Sequence, residues 1–250
     1  EREQALVLHQ TAIGVGVLLV GVAMAWGATD ISSVAGYAGV GPNFMPWLVA
    51  VVLVVCGLWL VWEARTGGYR LADAGFVAVA PDLHGDGRTA DTPDEAEALL
   101  AATDPNRTAG MVVSSLTALA RMPATPDGPV GILGFSMGGS WALWAATRFP
   151  DQVAAVCVYY GSQDIDFEPS RAAVQGHFAE HDEFTSADDV NYLEAQLRLV
   201  GREVDFHRYP GTGHWFAEHD RPAAHDPAAA EQAWDRTIEF FHRHLQPEAP

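Results

Sequence analysis

Two apolar runs open the chain, and alternating strand and helix patterns fill the rest. Leu6 to Trp26 is the first run, interrupted by His9, Gln10 and Thr11; Phe44 to Trp62 is the second, with Pro46 near its start. No charged residue falls between Ile31 and Trp62. A helix over 44–62 would be about 28 Å long, against a hydrocarbon core of about 30 Å. Trp26, Trp47, Trp59 and Trp62 lie toward the run ends, where aromatic belts form. Gly14, Gly16, Gly21 and Gly57 would let two helices approach closely, and Gly36 to Pro42 would be the turn between them. The pattern predicts a two-helix membrane hairpin over residues 1–68, entering the lipid bilayer through residues 6–62; a pair of buried helices in a soluble protein is the competing reading. From residue 69 to 250 the pattern predicts strands at about 75–80, 130–134, 153–159, 173–179 and 203–209. Helices are predicted at about 93–102, 107–122, 137–149, 186–200 and 228–245, with Thr92 and Ser186 as N-caps. Such alternation implies an α/β fold: a parallel sheet of about five strands with flanking helices.

The candidate chemistry lies at the strand ends. Gly134-Phe135-Ser136-Met137-Gly138 fits G-x-S-x-G, with the apolar Val130–Leu133 before it and a helical stretch after it. That context lifts a serine above a parallel sheet on a strained turn, where side chains at the glycine positions would clash. A serine needs a general base, and the base needs an orienting acid. Asp182 follows one predicted strand and His214 follows the next, so Ser136, Asp182 and His214 share the carboxyl edge of the sheet. Asp164 and Asp166, after the 153–160 strand, fit the acid on a variant layout or serve as turn residues. His177 and His181 with Asp182 admit a metal reading, but zinc usually takes three or four ligands, and a core residue with an exposed neighbour accounts for them better. Asp82 and His84 read as pocket-lining or turn residues, and His219, His225, His242 and His244 as surface. No metal or cofactor is expected.

The stretch from about Arg70 to Leu245 resembles the dienelactone hydrolase family of the α/β-hydrolase fold. The residues that carry the resemblance are Gly75 to Leu83, the Gly134–Gly139 elbow, Tyr159-Tyr160-Gly161, Ala179 to Asp182, and Tyr209 to Phe216. The resemblance implies Ser136 as nucleophile, Asp182 as acid, His214 as base and the Met137 N–H as an oxyanion donor. Phe135, Tyr160, Trp215 and Phe216 would line an apolar acyl pocket for a small ester or lactone. The best-known members carry cysteine where this chain has Ser136, which favours ordinary ester or lactone hydrolysis. Residues 1–66 resemble the first half of the small membrane subunit of the tripartite tricarboxylate transporters, on Gly36 to Trp47 and the apolar run after them. A transport subunit carrying a hydrolase passenger is therefore the second functional reading.

The hydrolase resemblance also implies a strand between 76–80 and the elbow strand, whose following loop gives the oxyanion hole a second N–H. Arg65 to Tyr69 leaves no room for it. Expected consequences are a sheet lacking its first strands, a 76–80 strand that closes up against Val130–Leu133, and impaired activity. This join, and a start at Glu1 without methionine, suggest a fusion, a chimera or a shortened reading of the gene.

Charge narrows the partners. The net charge is −18, and every basic residue is arginine. Nucleic-acid binding wants a basic face and is not expected. Arg2, Arg65 and Arg70 flank the outer ends of the apolar runs while the intervening loop has only Asp30, which places the hydrolase segment in the cytoplasm at the membrane; a soluble cytoplasmic protein is the alternative. Cys56 and Cys157 read as free thiols of a reducing compartment. Neither the substrate nor the oligomeric state is legible.

Overall fold

In the computed structural model, residues 2–29, 47–56, 58, 69–85, 87–90 and 92–245 are described. They fall into two compact units, Glu1–Asp73 and Ala74–Pro250.

The first unit contains α1 (Arg2–Thr29), α2 (Trp47–Cys56) and the short α3 (Tyr69–Asp73). The apolar residues of α1 are spread around the helix and not gathered on one stripe; over 11–29 most are exposed, while Gly14, Gly21 and Ala28 are buried. Trp26 is 77% exposed, Leu19 61% and Val20 53%. α1 and α2 meet at Gly21, where a Cβ would stand 2.9 Å from the Val54 nitrogen and 3.1 Å from the Ala50 oxygen. The expected Gly36–Pro42 turn lies outside the described residues, as do Trp59 and Trp62 of the second apolar run. Among the described residues, one helical stretch is long and apolar enough to cross a membrane: Thr11–Thr29, with mean hydropathy 1.9 and 17% of it buried.

The second unit is a parallel sheet with helices on both faces. Its strands are β1 (Val130–Phe135), β2 (Val153–Tyr159), β3 (Ala173–His181) and β4 (Val204–Gly213), in the order β1-β2-β3-β4. Every neighbouring pair is parallel. The helices are α4 (Pro93–Ala101), α5 (Pro105–Ala120), α6 (Met137–Arg148), α7 (Ala187–Leu199) and α8 (Pro227–Leu245). Local signals set several ends. Thr92 caps α4 ahead of Pro93, and Ser186 and Asp189 form a reciprocal capping box on α7.

Strand alternation divides the interior. On one face, Val156 and Val158 of β2 and Val174 and Phe178 of β3 join Leu143 of α6 and Val190, Leu193 and Leu197 of α7 in one apolar core. On the other face, the alternate residues Cys157, Tyr159, Gln175 and His177 lie under α8. That face is polar and tightly paired. The Thr237 hydroxyl of α8 meets the Tyr159 hydroxyl at 2.8 Å and His177 Nε2 at 3.1 Å. His177 Nδ1 meets the Tyr209 hydroxyl at 2.8 Å.

The structure departs from the sequence expectation at Phe76–Ala80. This segment is neither helix nor strand and joins no ladder, so the sheet has four strands among the described residues, not five. A strand is held by the N–H and C=O groups of a neighbour. Among the described residues β1 pairs with β2 alone, and 76–80 does not close up against it. Phe76 packs instead on α8, 6.1 Å from the Phe241 ring and 4.7 Å from the His242 ring, while Ala78 to Pro81 are exposed. His242 and His244, expected at the surface, are half-buried because the apolar face of α8 carries them against Phe76 and Phe240.

The polar layer under α8 makes stability pH-dependent. Burial, then the charges of His207 and Arg236, holds the His177 imidazole well below its usual pKa. The folded ring refuses a proton that the unfolded chain accepts, so its contribution is complete above about pH 6.5 and is lost progressively below it. Denaturant unfolding of the full chain at stepped pH should show stability falling below that value, with a smaller fall in His177→Gln.

Candidate active site

The carboxyl ends of the four parallel strands deliver one residue each. Ser136 directly follows β1, Tyr160 follows β2, Asp182 follows β3 and His214 follows β4. Ser136 has φ 49 and ψ −119, outside the ordinary allowed regions, and its N–H still donates to the Tyr159 carbonyl at 2.9 Å. The turn is tight at Gly134, where a Cβ would stand 2.3 Å from the Gly138 oxygen, but at Gly138 it would meet nothing within 4 Å. The expected clash therefore applies to the first glycine of the motif and not to the last.

The three side chains form a hydrogen-bonded line. His214 Nε2 is 3.1 Å from Ser136 Oγ, and His214 Nδ1 is 2.9 and 2.8 Å from the two Asp182 oxygens. The His214 and Asp182 side chains are 3% and 4% exposed. Asp182 Oδ1 also accepts the Phe184 and Thr185 N–H groups at 2.8 and 2.9 Å. Burial alone would raise the Asp182 pKa, but the bonds from His214, Thr185 and Phe184 outweigh it and hold the carboxyl below its usual value. An ionised acceptor at Nδ1 fixes the tautomer with its proton there and leaves Nε2 to accept from the serine hydroxyl.

Other candidates are placed elsewhere. Asp166 accepts the Glu168 N–H at 2.9 Å in an exposed turn, and the His214 partner is Asp182. Asp82 closes its own turn by accepting the Gly85 and Gly87 N–H groups, both at 2.8 Å. His177 is buried in the polar layer, whereas His181 is exposed beside Glu180. Among the described residues, no group of three or more His, Cys, Asp or Glu could hold a metal ion.

Aromatic rings enclose the imidazole. Tyr160 lies 4.7 Å from the His214 ring and Trp215 stands edge-on at 4.8 Å. Phe135 lies tilted at 4.6 Å from Tyr159, and Phe216 is fully buried, 4.9 Å from Tyr209. Met137 opens α6, so its N–H belongs to a first turn that has no acceptor within the helix. A cleft of about 770 Å³ runs past Asp182, His214 and Trp215, with Gly211 and Asp226 on its walls. Sequence reasoning missed Phe184, 54% exposed and 4.8 Å from the His214 ring, although its place two residues after Asp182 was a usable signal. It also missed Glu218, whose carboxylate accepts the Tyr160 hydroxyl at 2.8 Å across a long sequence gap that no local pattern marks.

This fold is an α/β-hydrolase-like one, a parallel sheet with flanking helices that carries a serine elbow at its edge. The family model for dienelactone hydrolases matches residues 34–245. The chain belongs to the dienelactone hydrolase family. It is 33% identical over 182 residues to Protein usf of Aquifex pyrophilus, covering 70% of this chain and 78% of that one. It is 32% identical over 128 residues to the carboxymethylenebutenolidase of Rhodococcus opacus, covering 46% and 50%. A dienelactone hydrolase-like promiscuous phosphotriesterase from metagenomic libraries matches in structure with TM-score 0.61 and 21% identity, covering 70% and 77%, which speaks for the fold alone. The transporter resemblance of residues 1–66 gains no support from these comparisons, and the family match begins inside that stretch.

Gly161 tests how closely the turns abut. A Cβ there would stand 2.5 Å from the Ser136 oxygen. Gly161→Ala should therefore lower stability by about 1–3 kcal/mol, read by denaturant unfolding; an unchanged midpoint would mean that the turns are not in contact.

Proposed function

We propose that this chain is a serine hydrolase that cleaves a small ester or lactone through an acyl-enzyme at Ser136. The observation that carries the reading is the unbroken hydrogen-bond line from Ser136 through His214 to Asp182. The Ser136 hydroxyl attacks the acyl carbon as its proton passes to His214 Nε2. Asp182, ionised and buried, holds the imidazole by Nδ1 and stabilises the imidazolium. The tetrahedral oxyanion is met by the Met137 N–H, at the positive end of α6. Collapse breaks the acyl–oxygen bond, and the leaving oxygen takes the proton from His214. Water then attacks the acyl-enzyme with His214 as base, releasing the acid and restoring the serine. Trp215 and the exposed Phe184 offer an apolar approach that suits an uncharged acyl group. Carboxymethylenebutenolidase activity in a relative supports the lactone class.

Turnover should be slow. In this reading Met137 supplies the one secure oxyanion N–H, and loss of a second such donor costs about 3–4 kcal/mol in the transition state. A fluorophosphonate should label Ser136 in the folded chain and not Ser136→Ala, with ester turnover well under that of a typical esterase. A folded chain that resists labelling would mark the hydrolase unit as a silent passenger. Rapid turnover abolished by Ser136→Ala would overturn the impaired-activity part alone.

We infer that residues 6–62 hold the chain at a lipid bilayer, with the hydrolase unit on the cytoplasmic side. The support is the outward-facing apolar surface of Thr11–Thr29, which a soluble core helix would bury. After expression, the chain should stay in the membrane pellet through alkaline carbonate extraction; release into the supernatant would sink the anchor.

A further inference from the structure

Among the described residues, three non-glycine residues have positive φ: Ser136 at 49, Tyr160 at 38 and Trp215 at 66. Such conformations persist only where the surroundings over-determine them, and they collect at working sites. All three contact His214. The elbow turn accounts for Ser136. Tyr160 and Trp215 need another account: Tyr160 is held by Glu218 itself, and Trp215 by Arg221, which also holds Glu218.

The Tyr160 hydroxyl donates to Glu218 Oε1 at 2.8 Å. Arg221 Nε donates to Glu218 Oε2 at 3.0 Å, and the same guanidinium lies 4.5 Å from the centre of the Trp215 ring. The remaining bonds of Tyr160 tie it to the acid side of the site. Its N–H donates to the His177 carbonyl at 2.8 Å, and its own carbonyl accepts the Thr185 hydroxyl at 3.0 Å. Thr185 is in turn a donor to Asp182.

The geometry points to Glu218 as a positioning residue: one carboxylate oxygen fixes Tyr160, the other fixes Trp215 through Arg221, and together they clamp the two rings that flank the His214 imidazole. The inference rests on the hydrolytic reading of Ser136, Asp182 and His214. A purely stabilising ion pair is a poorer account, because Arg221 and Glu218 are 44% and 26% exposed and such pairs contribute little to stability. Burial pushes the Glu218 carboxyl above its usual pKa against the opposing pull of Tyr160 and Arg221. Its two oxygens each face one donor, the Tyr160 hydroxyl at 2.8 Å and Arg221 Nε at 3.0 Å. Glu218 and Arg221 need not touch substrate; their effect is to stop the imidazole turning out of line with Ser136 Oγ.

The test compares the full-length wild type with Glu218→Ala, Glu218→Gln, Tyr160→Phe and the Tyr160→Phe/Glu218→Ala double variant. The exposed Glu239→Ala on α8 serves as control. The first readout is the position of the His214 ring-proton resonances in the NMR spectrum, which report the ring currents of Tyr160 and Trp215 and need no activity. The second is kcat and KM on p-nitrophenyl acetate. Glu218→Ala should move the His214 resonances and lower kcat by about a hundredfold, with KM nearly unchanged, as expected for a misaligned catalytic group. Glu218→Gln, which keeps an acceptor for the Tyr160 hydroxyl, should restore most of that loss. Tyr160→Phe should resemble Glu218→Ala, and the double variant should be little worse than either. His214 resonances at their wild-type positions in Tyr160→Phe would overturn the clamp, even if Glu218→Ala fails to fold. So would moved resonances with unchanged kcat. A wild type with no turnover and no Ser136 labelling, whose His214 resonances still move in the variants, would refute the hydrolase reading and leave the clamp standing.

Discussion

The parallel register of the sheet is the constraint on which the rest depends. β2 and β3 pair with Tyr159 opposite His177, and the ladder continues as the Tyr160 N–H donates to the His177 carbonyl. β1 pairs with β2 so that Phe135 lies opposite Tyr159. These pairings bring Ser136, Tyr160, Asp182 and His214 to one edge. A slip of one residue would turn each strand over. Val156 and Val158 would then meet Thr237, and Cys157 and Tyr159 would be driven into the apolar core of α6 and α7. Neither exchange is tolerable, so the core fixes the edge.

The polar layer beneath α8 shows how that specificity is enforced. Gln175, His177 and Thr237 are buried, and each finds partners within the layer. An apolar layer of the same shape would allow sliding. A network of directional bonds permits one register and penalises the others by leaving buried donors unmet. The Cys157 thiol belongs to this layer; burial raises its pKa well above the usual value, so it is a packing group and not a reactive one.

Several features were legible in advance because they are local. The Ser136 turn is set by neighbours within a few residues, and the caps at Thr92 and Ser186 need only the next turn of helix. The Asp182 and His214 positions were legible because each follows a strand whose alternation is clear. The choice of Asp182 over Asp164 and Asp166 was less so, since all three follow strands; it turns on which loop reaches Nδ1 of His214. Phe76–Ala80 misled for the same reason in reverse. Its apolar run has the composition of a strand, but a ladder requires a neighbour, and the neighbour is a tertiary fact.

The sequence by itself determined the order of strands and helices, the serine elbow, the apolar character of α1 and the residues that could act as base and acid. These rest on backbone preference and on side-chain period, which operate within a turn or two of chain. Tertiary structure alone decided that Phe76–Ala80 stays off the sheet, that Phe216 is core while Phe184 stands at the site, and that Glu218 joins Tyr160 to Arg221. Those outcomes depend on groups far apart in sequence meeting across the strand ends, where distance and burial, not composition, set which bonds form.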